Sequence, residues 1–115
     1  MPERDKDLLQ RLYQRFNARD LPAILGALHP DVMWANGIDG GHVHGHEGVR
    51  NYWTRQWAMI DPRVEPTGFA TLADGATEVE VQQTVRDLDG KVLSDRTVRH
   101  IFHFEDGLVR RFDIG

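Results

Sequence analysis

The chain has 115 residues, 40% of them hydrophobic and 28% charged, which suits one domain with a single core and excludes a disordered chain. Fourteen basic residues against eighteen acidic give a net charge of −4. No polybasic stripe is present, so neither nucleic acid nor an anionic membrane is an expected partner. There is no cysteine, which excludes disulfides, thiolate zinc sites and a cysteine nucleophile.

The N-terminus is charged where a leader would be apolar, and no apolar run approaches the ~18 residues of a membrane span. A cytoplasmic protein is expected. Residues 5–18 then read as an amphipathic helix, with Leu8, Leu9, Leu12, Tyr13 and Phe16 at helical spacing. Asn17 to Asp20 break it, and Asp20 caps a second short helix with Pro22 in its first turn. Leu21, Ile24, Leu25 and Leu28 form that helix's stripe, and His29-Pro30-Asp31 stops it.

Val32 to Asn36 is a strand candidate. Five of the eleven glycines follow, all between Gly37 and Gly48, which predicts a flexible loop carrying His42, His44 and His46. A third helix places Val49, Tyr52, Trp53, Trp57 and Ile60 on one side and ends at Asp61-Pro62. The period then changes. Val64–Leu72, Thr77–Leu88, Val92–Glu105 and Leu108–Ile114 read as strands, separated by Asp74-Gly75, Asp89-Gly90 and Asp106-Gly107. Asp-Gly between alternating runs signals a type I′ hairpin, so an antiparallel meander is expected. Helices first and strands last imply a segregated α+β fold, one sheet face meeting the helices and the other meeting water or a second copy of the chain.

The segments Leu9-Gln10-Arg11, Asn17-Ala18-Arg19-Asp20-Leu21, Ile24-Leu25, Asp31-Val32, Gly45-His46-Glu47-Gly48-Val49-Arg50 and Asp106-Gly107-Leu108-Val109-Arg110 resemble the ketosteroid isomerase and SnoaL-like branch of the NTF2-like superfamily. The resemblance spans nearly the whole chain as one domain, residues 1–115. It implies a cone-shaped α+β barrel, three N-terminal helices packed on a curved antiparallel sheet, with a pocket at the open end. Relatives include isomerases, polyketide cyclases, dehydratases, epoxide hydrolases and non-catalytic binding or dimerisation modules, so the fold does not choose among them.

Aligned on Asn17-Ala18, the isomerase's general-base aspartate falls on Asn36, which has no useful basicity. Its oxyanion-hole tyrosine falls on Leu12, with Tyr13 one place off. Its second donor, the neutral carboxylic acid that serves as a standard example of pKa tuning, falls near His100. The tyrosine and asparagine of limonene epoxide hydrolase fall on Trp34 and Asn36, and its arginine and aspartate fall roughly on Glu80 and Gln82. Asp113 lies near acidic residues used by some hydrolases and cyclases.

The residues themselves add to this. Val98, His100, Phe102 and Phe104 share one strand face, which makes His100 a lone titratable group among apolar neighbours. It reads either as a general acid or base or as a buried histidine bonded to a neighbour. Asn36 and Trp34 alternate on one face, where Asn36 either orients a polar ligand atom or ties down the glycine loop. Gln83 alternates with Val79, Val81 and Val85 and so points inward. Asp113 faces inward with Arg111, or outward while Arg110 turns in. His42-x-His44 has metal-ligand spacing and, with Glu47, distantly resembles a first cupin motif. The spacing is too short, however, and no second motif follows, so no metal and no cofactor are expected. The expected protein is a homodimer that binds a small hydrophobic molecule, either moving a proton in it or simply holding it. Candidate catalytic residues are His100, Asn36 and Tyr13, and candidate ligand-binding residues are Trp34, Gln83, Phe102, Trp53 and Asp113.

Overall fold

The computed structural model describes residues 3–37 and 40–115. Part of the predicted glycine loop, residues 38 and 39, and the first two residues of the charged N-terminus lie outside the described residues. No helix among them is long and apolar enough to cross a membrane.

Helix α1 (Glu3–Asn17) buries Leu9, Leu12, Tyr13 and Phe16 along one stripe. Arg19, in the left-handed region at φ 61, turns the chain into α2 (Leu21–Gly26). There the Asp20 carboxylate accepts from the Ala23 N–H, as its capping role requires. Arg19 also ties this corner to the sheet. Its guanidinium pairs with Asp61, donates to the Pro62 carbonyl at 2.7 Å and lies over the Trp57 ring.

Strand β1 (Leu28–Ala35) begins earlier than the sequence suggests, because His29-Pro30-Asp31 is extended backbone inside it. The glycine loop also contains more order than expected. It holds β2 (His42–His44) and the first turn of α3 (Gly45–Trp57), with Gly45 at φ 72 making the corner. Helix α3 ends at Trp57, so Ile60-Asp61-Pro62 belongs to β3 (Ile60–Thr71). Pro62 is tolerated there because β3 is an edge strand.

β4 (Thr77–Asp87), β5 (Val92–Glu105) and β6 (Leu108–Ile114) complete a six-stranded sheet of order β2-β1-β6-β5-β4-β3. The meander from β3 to β6 is antiparallel, and β6 runs parallel to β1. The sheet is curved but does not close, so it is an open α+β cone rather than a barrel, with the three helices on its concave side. Only Asp106-Gly107 has positive φ at both positions, 56 and 77, as a type I′ turn demands. At the other two Asp-Gly sites only the glycine is left-handed. Gly75 N–H donates to Leu72 O and Leu72 N–H to Ala76 O, and Gly90 and Asp87 repeat the pattern. These are three-residue loops with glycine at the bulge.

The exposed edge of β3 would leave backbone groups unpaired. The Asn17 side chain takes those of Val64, donating to its carbonyl at 2.7 Å and accepting from its N–H at 2.9 Å. Asn17 therefore ends α1 and caps the sheet edge together. Replacing it by alanine orphans both Val64 groups, and Asn17→Ala is expected to cost about 1–3 kcal/mol of unfolding free energy. Urea denaturation measures this, and a loss under about 0.5 kcal/mol would show that water replaces the amide fully.

Candidate functional site

The inner face of β5 sets out the site. Side chains alternate along a strand, so Ser94, Arg96, Val98, His100 and Phe102 all turn toward the helices, where they border a cavity of about 470 Å³. Tyr13 and Phe16 of α1, Trp53 of α3, Trp34 of β1, Gln83 of β4 and Phe112 of β6 complete most of its wall. Phe102 is buried at the closed end, while Gly37, Arg96 and Ile114 are exposed at the mouth. The volume is that of an ordinary small-molecule pocket.

At the inner end, the Tyr13 hydroxyl and His100 Nδ1 are 2.8 Å apart. Both residues are buried, at 4% and 7% exposure. Phe112 meets the His100 ring edge-to-face at 4.8 Å, and Phe102 packs edge-on against Tyr13. Burial disfavours charge on each partner. It lowers the His100 pKa to about 4 and pushes the Tyr13 hydroxyl far above its ordinary value. At neutral pH both are uncharged. Among the described residues His100 Nε2 has no hydrogen-bond partner, so the imidazole keeps one ring nitrogen for something else.

The other candidates fall in different places. Asn36 borders the cavity, and its backbone closes the loop through bonds with Gly40 and Gly41. Trp34 stacks on Phe112 at 4.2 Å, and Trp53 packs against Phe16 and Tyr52. The indole N–H groups of Trp34 and Trp53 are buried without a partner among the described residues.

Asp113 does not join them. It lies on the outer face of the sheet, where its carboxylate accepts from Arg111 at 2.7 Å and lies 2.8 Å from His42 Nε2. Partial burial works to raise this carboxyl, but the bonds from Arg111 and His42 outweigh it and hold it below the ordinary range. Glu80 and Gln82 are also on the outer face, bonded to Thr67 and to Asp95 and Thr97.

The three loop histidines do not converge. His42 meets Asp113, His46 Nε2 donates to the Leu28 carbonyl, and His44 caps α3 with no side-chain bond. The cluster of potential ligands found among the described residues is elsewhere, at His29, Glu105 and Asp106. There His29 Nδ1 accepts the Asp31 N–H, which puts the ring proton on Nε2, facing Glu105 at 3.0 Å. That tautomer has no lone pair left for an ion. Sequence reading passed over Arg96 and Ser94, which the inward alternation of β5 already implied.

The buried imidazole makes stability depend on pH. The native pKa of about 4 lies below the unfolded value of 6.5, so between them the unfolded chain binds a proton that the native chain does not. Stability from this group is therefore complete above about pH 6.5 and is lost as pH falls toward 4, by about 3 kcal/mol in all. His100→Asn should flatten that part of the curve. Urea titrations at several pH values, with the variant subtracted to remove the other histidines, measure it. Parallel curves would place His100 in contact with solvent.

The chain matches the model of the SnoaL-like domain over residues 9–112. No curated protein sequence is significantly similar to it. Among solved structures it resembles an NTF2-like protein of unknown function from Burkholderia pseudomallei, with 27% identity and a TM-score of 0.86, covering 100% of this chain and 91% of that one. It also resembles TerC, co-crystallised with polyporic acid, with 24% identity and a TM-score of 0.84 over 97% of this chain and 90% of that one. A proposed polyketide cyclase from Sinorhizobium meliloti has 18% identity and a TM-score of 0.81, over 100% and 95%. An α+β cone with three helices on its concave face, matched along almost its whole length, makes this chain a member of the SnoaL-like family within the NTF2-like superfamily.

Proposed function

We propose that the cavity binds a small, mainly apolar carbonyl compound and that the protein moves a proton within it, as a cofactor-independent isomerase, cyclase or dehydratase. The observation that carries this reading is the neutral His100, held through Nδ1 by Tyr13 in an apolar cavity. The likeness to proposed polyketide cyclases, and to TerC co-crystallised with polyporic acid, supports an organic small-molecule ligand.

The hydrogen bond admits two tautomers. When the Nδ1–H donates to the tyrosine oxygen, Nε2 carries a lone pair and the Tyr13 O–H is released toward the ligand. Nε2 then takes a proton from the carbon beside the carbonyl. The C–H electron pair forms a C=C bond while the carbonyl π pair moves onto the oxygen, which accepts from Tyr13 and, as we assign it, from the Asn36 amide. The imidazolium so formed is a strong acid, because the burial that lowers the basicity of His100 equally destabilises its charged form. It returns the proton to another carbon or to oxygen, which restores the neutral ring. Trp34, Gln83, Phe102 and Trp53 shape the pocket around the ligand.

A second reading, a non-catalytic binding module, is favoured by the same bond, because Tyr13 and His100 also satisfy each other. NMR in D₂O separates the two. Wild-type protein should speed α-hydrogen exchange of a bicyclic aryl ketone, His100→Ala should abolish the acceleration while the protein stays folded, and Asn36→Ala should slow it by roughly 10²–10³-fold. Quenching of tryptophan fluorescence by the ketone, without any exchange, would establish the binding module instead.

The outer sheet face, with Arg99, Ile101 and His103 beside Glu78, Glu80, Gln82 and Thr84, is covered by no helix. We assign it to a two-fold contact with a second copy. Light scattering at micromolar concentration should give the dimer mass, and a monomer mass removes this assignment.

A further inference from the structure

We infer that the ligand of this cavity carries an anionic group, a carboxylate or an equivalent oxyanion, which Arg96 holds at the mouth. The inference rests on the proposal that the cavity binds a small molecule, and it specifies that molecule's chemistry.

Arg96 lies on the inner face of β5, on the same side as His100. They are four positions apart, which is about 13 Å along a strand. Tyr13 and His100 being neutral, Arg96 is the charged residue bordering the cavity, and no carboxylate borders it among the described residues. Among those residues Arg96 makes no hydrogen bond and no ion pair.

This is not for want of acids nearby. Asp95 is its neighbour in sequence, yet it points to the other face, where its carboxylate accepts from Gln82 at 2.6 Å and Thr84 at 3.1 Å. Asp87 is turned into its own hairpin, accepting from the Asp89 and Lys91 N–H groups. The cross-strand partner of Arg96 is Gln83, which is neutral. The protein's net charge is −4, yet among the described residues the charged side chain bordering the cavity is a cation, with no carboxylate beside it there. Snorkelling of the long side chain accounts for its exposure. It does not account for its place on the inward face of β5, at the rim of the cavity.

An unpaired guanidinium at the mouth favours a guest that carries an anionic group there. The wall between His100 and Arg96 is apolar at Val98, so the guest joins an oxygen-bearing end to an anionic end through an apolar body. A guanidinium binds a carboxylate by two parallel N–H···O bonds.

The test uses 2-naphthoate and its neutral isostere 2-naphthamide as probes, with one- and three-ring homologues of each, read by quenching of tryptophan fluorescence. The carboxylates should bind roughly fivefold more tightly than the amides, because a pair at an open mouth is partly screened. The advantage should shrink as salt is raised. Arg96→Gln should remove it while leaving amide affinity unchanged, and because the side chain is exposed the variant should fold normally, which circular dichroism checks. Equal affinity for both members of each pair, or an advantage that survives Arg96→Gln, overturns the assignment of Arg96 and leaves the cavity proposal standing. Failure of every probe of either charge to bind overturns the small-molecule reading itself.

Discussion

The hydrogen bond between Tyr13 and His100 spans the core. It joins the C-terminal half of α1 to β5, across a sequence separation of 87 residues and through a wall of aromatic rings. Two polar groups buried side by side each need a partner, and either one alone would cost about 1–3 kcal/mol. Together they are satisfied, and this fixes the angle of α1 against the sheet. It also fixes which ring nitrogen of His100 is consumed and which remains. Folding and the proposed chemistry thus draw on one contact, and its tautomer decides whether it serves as structure alone or also as a proton-transfer device.

The open sheet explains why there is a cavity to serve. A six-stranded sheet curved over three helices must fill its concave side, but α2 has only 6 residues and α3 only 13. Core residues such as Val79, Val81 and Val109 fill one end completely. Toward the other end the strands extend beyond the helices, and their inward positions change from valine and phenylalanine to Gln83, Ser94 and Arg96. Asn17 and Arg19 hold the edge strand in place at this end, so the space persists without a closed barrel around it.

What the sequence made legible follows from local rules. Helix stripes, the Asp20 cap and the period-2 face of β5 are set by neighbours within a few residues, and these placed Tyr13, Trp34, Gln83, His100 and Phe102 where the cavity lies. What it concealed depends on tertiary contacts or on irregular pairing. Strand β2 is only three residues long and exists because β1 offers an edge to it. On β6 the pairing passes from Phe104↔Val109 to His103↔Arg111, so Arg110 is an extra residue in the strand. Such a bulge reverses the alternation. It lets Val109 be buried in place of Leu108 while Phe112 and Ile114 still face inward, and it leaves Asp113 with Arg111 on the outside. No pattern of apolar residues announces that reversal. The bidentate role of Asn17 was hidden for a related reason, since a helix-ending asparagine looks the same whether or not a sheet edge lies beside it.

The same strand that carries the buried imidazole carries the exposed guanidinium, and their order along it has a physical consequence. A cation close to His100 would lower the histidine's proton affinity still further, because like charge adds to desolvation. They are four positions apart on extended chain, and at about 13 Å near an aqueous mouth the mutual repulsion is largely screened. Arg96 can thus attract an anion without altering the proton chemistry at the closed end. Burial tunes one end, charge tunes the other, and Val98 between them keeps the two independent. The rigid spacing of a β-strand, rather than any flexible loop, sets the distance over which a ligand would have to reach.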